Sequence, residues 1–405
     1  MSFSEWKEVV LGDVVTFNPR ESIPKKQIAK KIAMEKLKPF TKFIDNYEFA
    51  EFKGGTKFRN GDTLLARITP CLENGKTSQV TILDDNEVGF GSTEYIVLRE
   101  KVGVTNKDYI YYLSISPKFR DIAIKSMVGS SGRQRVQQDM LQSTEVLLPS
   151  LIEQKSIADT LSCLDDKIEL NNRINKTLEE MAQAIFKNWF VDFEPFQDGE
   201  FEGSELGMIP KGWSEKALYD FAEYINGTSF KKDQYSDRGC PIVKITELKN
   251  GITSATQYFS GTKDEKYYIK TGDILFSWSG NPQTSIDTFI WCCGDAILNQ
   301  HTFKISIKNN DYCFLYLLLK FFKPEFTRIA SSKQTTGLGH VTVSDLKRLK
   351  FPYNHKVVSE FCILLNPVIQ MYVKNLLENK KLNYIRDTLL PKLMSGEIRV
   401  PTEEA

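Results

Sequence analysis

The chain has 405 residues, enough for two or more domains with cores of their own, and its formal charge of +1 gives no global basic signature for nucleic acid. Seven cysteines, an odd number with no CxxC pair, argue against a disulfide framework and fit a reducing cytoplasm. Met1-Ser2-Phe3-Ser4-Glu5-Trp6 lacks the basic and apolar regions of a signal peptide, and no apolar run of about 18 residues occurs, so a cytoplasmic chain without membrane association is expected.

Residues 1–150 carry 22 Lys+Arg against 19 Asp+Glu, net +3. Short strand-like runs, Gln79–Leu83 and Glu94–Leu98, alternate with glycine-rich turns, and Lys107–Ser116 reads as helix. A mixed α/β domain with a strand-rich core is predicted. Residues 151–190 then change character. Ser150 is placed to cap a helix with Glu153 three residues on, a capping box. Behind it runs a ladder spaced 4, 3, 4, 3: Ile157, Leu161, Leu164, Ile168, Asn171, Asn175, Leu178, Ala182, Ile185, Trp189. Asp165-Asp166-Lys167 lies on this helix and reads as a solvated face. Residues 191–210 hold six acidic residues and no basic one, an acidic linker.

Residues 211–352 form a second domain of the same kind, with 19 basic against 14 acidic residues, net +5. Ile242–Ile245 and Thr302–Ile307 are its strand-like runs and Cys313–Lys323 its late helix. Residues 353–398 are a second long helix, capped by Asn354 and stopped at Gly396, and 399–405 a tail. Adding 204 to the first ladder gives Phe361, Leu365, Val368, Tyr372, Asn375, Asn379, Leu382, Arg386, Leu389, Leu393. A shared apolar stripe is weak evidence, whereas a shared asparagine break at the same two steps points to duplication. Trp6 with Trp213, Gly61-Asp62 with Gly272-Asp273, and Pro149 with Pro352 repeat in the same order. The fold class is therefore α+β: two mixed α/β domains in tandem, each followed by a long helix with a helical partner. If the helices pair antiparallel, Asn171 faces Asn379 and Asn175 faces Asn375, which fixes register because a slip would bury amides unpaired. The 33 residues from Ile157 to Trp189 would span about 50 Å, longer than one turn of B-DNA at about 34–36 Å. Pro367 is expected to kink the second helix or delay its start.

No catalytic motif emerges. A P-loop ending at Gly75-Lys76-Thr77 would need glycine where Pro70 stands. Asn18-Pro19-Arg20 and Asn281-Pro282-Gln283 are not the Asn/Asp-Pro-Pro-aromatic motif of adenine methyl transfer. His301, His340 and His355 lack metal-binding or triad context, so no catalytic or metal site and no cofactor are assigned to this chain. What remains is polar loops suited to DNA, where Arg and Lys take guanine, Gln and Asn take adenine, and small hydroxyls take phosphate. In the first half these are Arg67, Thr69, Lys76 and Thr77 with Arg133, Gln134 and Arg135. In the second they are Ser229, Lys231 and Lys244, then Trp278, Ser279, Asn281, Gln283 and Thr284, then Gln300 and His301, and finally Lys333, Gln334 and Thr335.

The chain resembles the specificity subunits of type I restriction–modification systems. The resemblance rests on the run from Lys53-Gly54-Gly55-Thr56-Lys57-Phe58 through Gly61-Asp62-Thr63-Leu64-Leu65 to Glu73-Asn74-Gly75-Lys76, with Gly91-Ser92-Thr93-Glu94. It extends through Ile185-Phe186-Lys187-Asn188-Trp189-Phe190-Val191-Asp192-Phe193-Glu194-Pro195, Glu205-Leu206-Gly207-Met208-Ile209-Pro210-Lys211-Gly212-Trp213, Leu298-Asn299-Gln300-His301 and Thr336-Gly337-Leu338-Gly339-His340. It implies two target-recognition domains that read the halves of a bipartite, asymmetric double-stranded DNA site. It also implies an antiparallel helix pair that sets the spacer and docks partners. Those partners would be two modification subunits methylating adenine with S-adenosylmethionine, and restriction subunits using ATP and Mg. Two alternatives stand beside it: a DNA-binding or scaffold protein of the same build without such partners, and an enzyme whose site carries no recognisable motif.

Overall fold

The computed structural model describes residues 5–253, 255–307, 311–334 and 337–401. Its contacts divide the chain into two units, residues 1–169 with 381–405, and residues 170–380. The division cuts both long helices, so each unit holds one recognition domain and a stretch of each helix.

In the first unit, one four-stranded sheet has the spatial order Val15–Phe17, Tyr95–Glu100, Thr63–Ala66, Thr77–Gln79. A second runs Glu48–Glu51, Ile28–Ile32, Gly89–Gly91, Thr56–Phe58. The second unit repeats both orders: Glu223–Asn226, Thr302–Ser306, Ile274–Ser277, Asp287–Ile290, and then Tyr258–Phe259, Cys240–Val243, Ala296–Leu298, Tyr268–Ile269. In each second sheet one pairing is parallel, Lys31 with Phe90 and Ile242 with Ile297. A separate two-stranded ribbon joins the start of each domain to the segment before its long helix, Lys7–Val10 with Glu145–Leu148 and Ser214–Ala217 with Lys350–Tyr353. The repeated Gly-Asp step explains one shared turn. Gly61 and Gly272 take φ of +91° and +98°, a region a side chain strains. The following carboxylates, Asp62 and Asp273, accept from the amides of Arg59 and Lys270 at 2.7 and 2.9 Å.

The helices Lys107–Ile115 and Tyr312–Phe321 press apolar faces onto these sheets and onto the long helices. In the first unit Ile157 and Leu161 share a core with Leu390, Leu393 and Tyr109. In the second, Phe186 and Phe190 lie among Phe314, Phe351 and Phe361, with Phe186 stacked on Phe351 at 5.5 Å. The Phe186–Pro195 motif is thus core and the turn that leaves it. Residues 191–210 are acidic but not a bare connector: Glu194–Phe196 makes a 3-10 turn and Phe201–Ser204 pairs with Gly207–Pro210 as a hairpin. Phe193 and Phe196 hold this segment against Trp213 at 5.4 and 5.3 Å.

The long helices are Leu151–Phe190 and His355–Ser395. Within the second unit they run antiparallel through the asparagine break. Asn171 Nδ2 donates to Asn379 Oδ1 at 2.9 Å and to Glu378 at 2.8 Å, and Asn379 Nδ2 donates to Asn172 at 2.8 Å. Asn375 Nδ2 donates to Asn175 Oδ1 at 2.9 Å, while Asn175 Nδ2 reaches the Tyr372 carbonyl at 3.1 Å. Pro367 does not delay the start, since the helix is continuous from His355. The proline is itself exposed, and Ile363, whose carbonyl would have received its missing N–H, is 77% exposed, so the missing bond falls on the solvent side of the helix while the ladder residues Phe361 and Leu365 stay buried. His355–Ser395 is apolar and long enough by composition to cross a membrane; here Val358, Phe361, Leu365 and Ile369 lie in the unit's core.

Two helix expectations need correction. Ser150 Oγ accepts from the Glu153 amide at 3.3 Å, but the Glu153 carboxylate does not return to complete a capping box. It takes Trp6 Nε1 at 3.1 Å and the Arg399 guanidinium, Nη2 at 2.7 Å. Nor is Asp165 solvated. It stands beside the Leu161–Leu164 stripe, faces inward, and takes Arg386 Nη1 and Tyr112 Oη, both at 2.7 Å. Its side chain is 4% exposed and that of Arg386 6%. Burial raises the pKa of neighbouring Asp166; Lys42 opposes this, and Asp165 and Asp108 add to the rise. The step that broke the ladder match, Ala182 against Arg386, is therefore an ion pair peculiar to the first unit. Asp165→Ala should destabilise that unit by about 1–3 kcal/mol, because Arg386 Nη1 and Tyr112 Oη lose their buried acceptor while Asp387 still holds the guanidinium at Nε and Nη2. Denaturant unfolding of the full chain followed at the first unit tests this, and a loss below about 1 kcal/mol would show the pair to be energetically a surface one.

Candidate nucleic-acid interface

In the first unit three segments from distant parts of the sequence are laced together by backbone hydrogen bonds. The Arg67 amide donates to the Glu94 carbonyl at 2.9 Å, and Val136 donates to the Arg67 carbonyl at 2.8 Å. Thr69 donates to the Gln134 carbonyl at 3.0 Å, while Arg135 and Val128 exchange both backbone bonds. Arg67, Thr69, Gln134 and Arg135 therefore share one edge, with Arg133 exposed at the turn beside it. Glu94 holds Arg135 side-on, at 2.9 and 3.0 Å to Nε and 2.7 Å to Nη2. That guanidinium keeps the Glu94 carboxyl below the usual carboxylate range, against partial burial, and Arg67 adds in the same direction.

The second unit repeats this lacing. Trp278 donates to the His301 carbonyl at 3.4 Å and Val341 donates to the Trp278 carbonyl at 2.8 Å. Ser279 pairs with His340 as Ile68 bridges Arg135. Arg67, Glu94 and Arg135 thus correspond to Trp278, His301 and His340. Trp278 spends its indole N–H on Asn226 Oδ1 at 3.1 Å, and its ring lies 5.6 Å from that of His301. The Gln300 amide and His301 Nε2 are 3.2 Å apart. Thr228 bridges Asn299, which brings the segment of Ser229 and Lys231, both exposed, to the same edge.

Several candidates are committed inside the protein. Thr77 is fully buried within its strand and offers DNA nothing. Lys76 Nζ donates to the Met34 carbonyl at 2.9 Å, and the Thr69 hydroxyl donates to Glu73 at 3.0 Å. Arg67 is not committed in this way: it stays half-exposed at the edge, and no described residue supplies an acceptor to its buried Nε. Lys244 is bound to Gln257 and lies 4.8 Å over the Tyr235 ring. Lys333 is ion-paired with Asp345 at the start of Val343–Arg348. Asn281 Oδ1 accepts from the amides of Gln283 and Thr284 at 3.0 and 3.1 Å, so it builds the turn that leaves those two exposed. Gln334 is exposed, and Thr335 lies outside the described residues. Sequence reasoning passed over Glu94 and Asn226 as partners; aligning Glu94 with His301, 207 residues on, would have exposed the first. Among the described residues no three His, Cys, Asp or Glu side chains gather as a metal site.

A family model described as the type I restriction modification DNA specificity domain matches residues 3–180 and 210–355. The chain belongs to that family of type I restriction–modification specificity proteins. It is 32% identical to the MjaIX specificity subunit of Methanocaldococcus jannaschii, covering 74% of this chain and 71% of that one. It is 27% identical to the HindI specificity subunit of Haemophilus influenzae over 98% of this chain and all of the other. The crystal structure of a type I S subunit from M. genitalium shares the fold, with a TM-score of 0.54 at 15% identity and 96% coverage of each chain.

Gly339 is a tight joint of the second edge, since a Cβ there would meet the Ala330 carbonyl oxygen at 2.2 Å. Gly339→Ala should cost about 1–3 kcal/mol and open the Ser279–His340 pairing. Amide exchange should quicken at Ser279 through Val341 with Arg67 through Val136 unchanged; undisturbed exchange at Val341 would refute it.

Proposed function

We propose that this chain is the non-catalytic, DNA-reading subunit of a cytoplasmic type I restriction–modification complex. Each recognition domain reads one half of a bipartite site. The observation that carries this reading is the repeated loop lacing: one backbone frame, present twice, displays polar and aromatic side chains of different chemistry at equivalent positions. A duplicated frame with unlike contents suits an asymmetric target. The helix pair sets the spacer, and the paired amides of Asn171, Asn175, Asn375 and Asn379 support that role by opposing slippage. The two copies of the helical repeat dock two modification subunits, which carry S-adenosylmethionine and methylate adenine. Restriction subunits supply ATP- and Mg-dependent cleavage. This chain holds none of these groups itself.

Binding of the full chain to duplex DNA should weaken steeply between about 50 and 200 mM salt, as counterions released by phosphate contacts demand; salt-independent binding would refute DNA recognition through these loops. Arg133→Ala should relax base choice in one half-site only, costing about 1–3 kcal/mol of discrimination. Genome-wide mapping of methylated adenines in cells carrying the unaltered chain, the variant or neither reads this out, and equal loss in both halves would overturn domain-wise reading.

A further inference from the structure

Three positions of the shared frame differ in kind between the two units. We infer that these positions, Arg67, Glu94 and Arg135 in the first unit and Trp278, His301 and His340 in the second, set base preference in each half-site, with Glu94 as the positioning residue that aims Arg135 at a guanine. The inference rests on the DNA-reading function proposed above and names where that reading is decided.

The backbone bonds make the comparison position by position. The amide of Arg67 and that of Trp278 donate to the carbonyls of Glu94 and His301, and the carbonyls of Arg67 and Trp278 accept from Val136 and Val341. The carriers therefore share one hydrogen-bond pattern, and the side chains they display differ. Glu94 engages Nε and Nη2 of Arg135, the side edge of the guanidinium. Of its five N–H groups, one of Nη1 and the outward one of Nη2 stay directed along the arginine axis. This end-on pair matches the O6 and N7 acceptors of guanine in the major groove. The carboxylate also fixes rotamers that a free arginine would have to freeze on binding, and the side chain is still 45% exposed. Position 94 thus works through position 135.

The second unit has no charged fork at these positions. Its indole N–H is already spent on Asn226, so Trp278 offers a ring edge, an apolar contact suited to a thymine methyl or a sugar. His301 and His340 are exposed, and an imidazole can accept as well as donate where a guanidinium only donates. The two half-sites should therefore differ at the base pair beneath these positions, with guanine required in one of them.

The test is selection from a randomised duplex library by the full-length chain, followed by sequencing of what is retained. The unaltered chain should return a bipartite motif. Glu94→Gln and Arg135→Lys should each lower the preference for one guanine in one half by about tenfold or more, as loss of a bidentate contact requires, while the other half is unchanged. Trp278→Leu and His340→Ala should alter the opposite half alone. Glu94→Gln should also leave the salt slope of bulk DNA binding unmoved, a readout that general loosening of the loop would shift. Motifs unchanged in all four variants, or affinity lost equally for every sequence, would overturn the inference. Absence of any motif with the unaltered chain would overturn both it and the reading on which it rests.

Discussion

The structure depends on one constraint: polar groups placed inside a helix seam must find partners there. Leucine or isoleucine at Asn171, Asn175, Asn375 and Asn379 would tolerate a slip by one heptad, because apolar contacts are non-directional. Amides do not, since each unmade bond of a buried group costs about 1–3 kcal/mol. Asn171 bonds Asn379 and Asn375 bonds Asn175, and Glu378, Asn172 and the Tyr372 carbonyl take further N–H groups. The first unit meets the same requirement by charge. Asp165 and Arg386 close its seam, tied to the recognition domain through Tyr112, and Glu153 gathers Trp6 and Arg399. In each unit the polar lock joins both long helices, so register is specified more strongly than hydrophobic packing alone would specify it.

The duplication was legible because it left two independent kinds of trace. One is periodic, the ladder with its break. The other is punctuation, Gly61-Asp62 and Gly272-Asp273, where a left-handed glycine and an aspartate that accepts from the backbone are both required. Two strand-like runs were legible, Thr302–Ser306 and Tyr95–Glu100 falling within a residue or two of expectation, whereas the strands near Gln79–Leu83 and Ile242–Ile245 are Thr77–Gln79 and Cys240–Val243, both placed earlier. The sheet order was not legible, because no local signal says that Ile28–Ile32 lies parallel to Gly89–Gly91. The fate of individual polar side chains was equally hidden. Thr77 and Lys76 are polar loop-side candidates like Arg133 and Gln283, and only the pleat of the strand and the position of Met34 decide which are turned inward. Asp165 was misread for the same reason, since a charged pair next to an apolar stripe looks solvated until its partner, 221 residues away, is in place.

The committed polar residues have a function as supports. Asn281 spends its side chain on the turn that exposes Gln283 and Thr284. Lys333 fixes the end of one helix to the start of the next through Asp345. Thr69 and Glu73 brace the loop that carries Arg67. A recognition surface built from loops needs such internal bonds, because an unbraced loop must be ordered on binding at about 0.5–1.5 kcal/mol for each mobile side chain. The long polar stretches in the sequence therefore overstate the contact surface. Much of their hydrogen-bonding capacity holds the rest in position.

This division between frame and display would let one fold read an asymmetric target. The frame is made of backbone bonds, such as Arg67 to Glu94 and Trp278 to His301, whose energies do not depend on which side chains those residues carry. The glycine that permits close approach, Gly339 against Ala330, belongs to the frame as well. A change from guanidinium and carboxylate to indole and imidazole therefore alters what is displayed without altering the bonds that display it. The sites are partly exposed, so such exchanges avoid the cavity and desolvation terms that penalise substitutions in the core. Energetically, the halves can diverge at these positions while the seam, the sheets and the aromatic cluster around Phe186 remain under constraint. Divergence confined to the display is what a pair of duplicated domains needs in order to read two different sequences with one architecture.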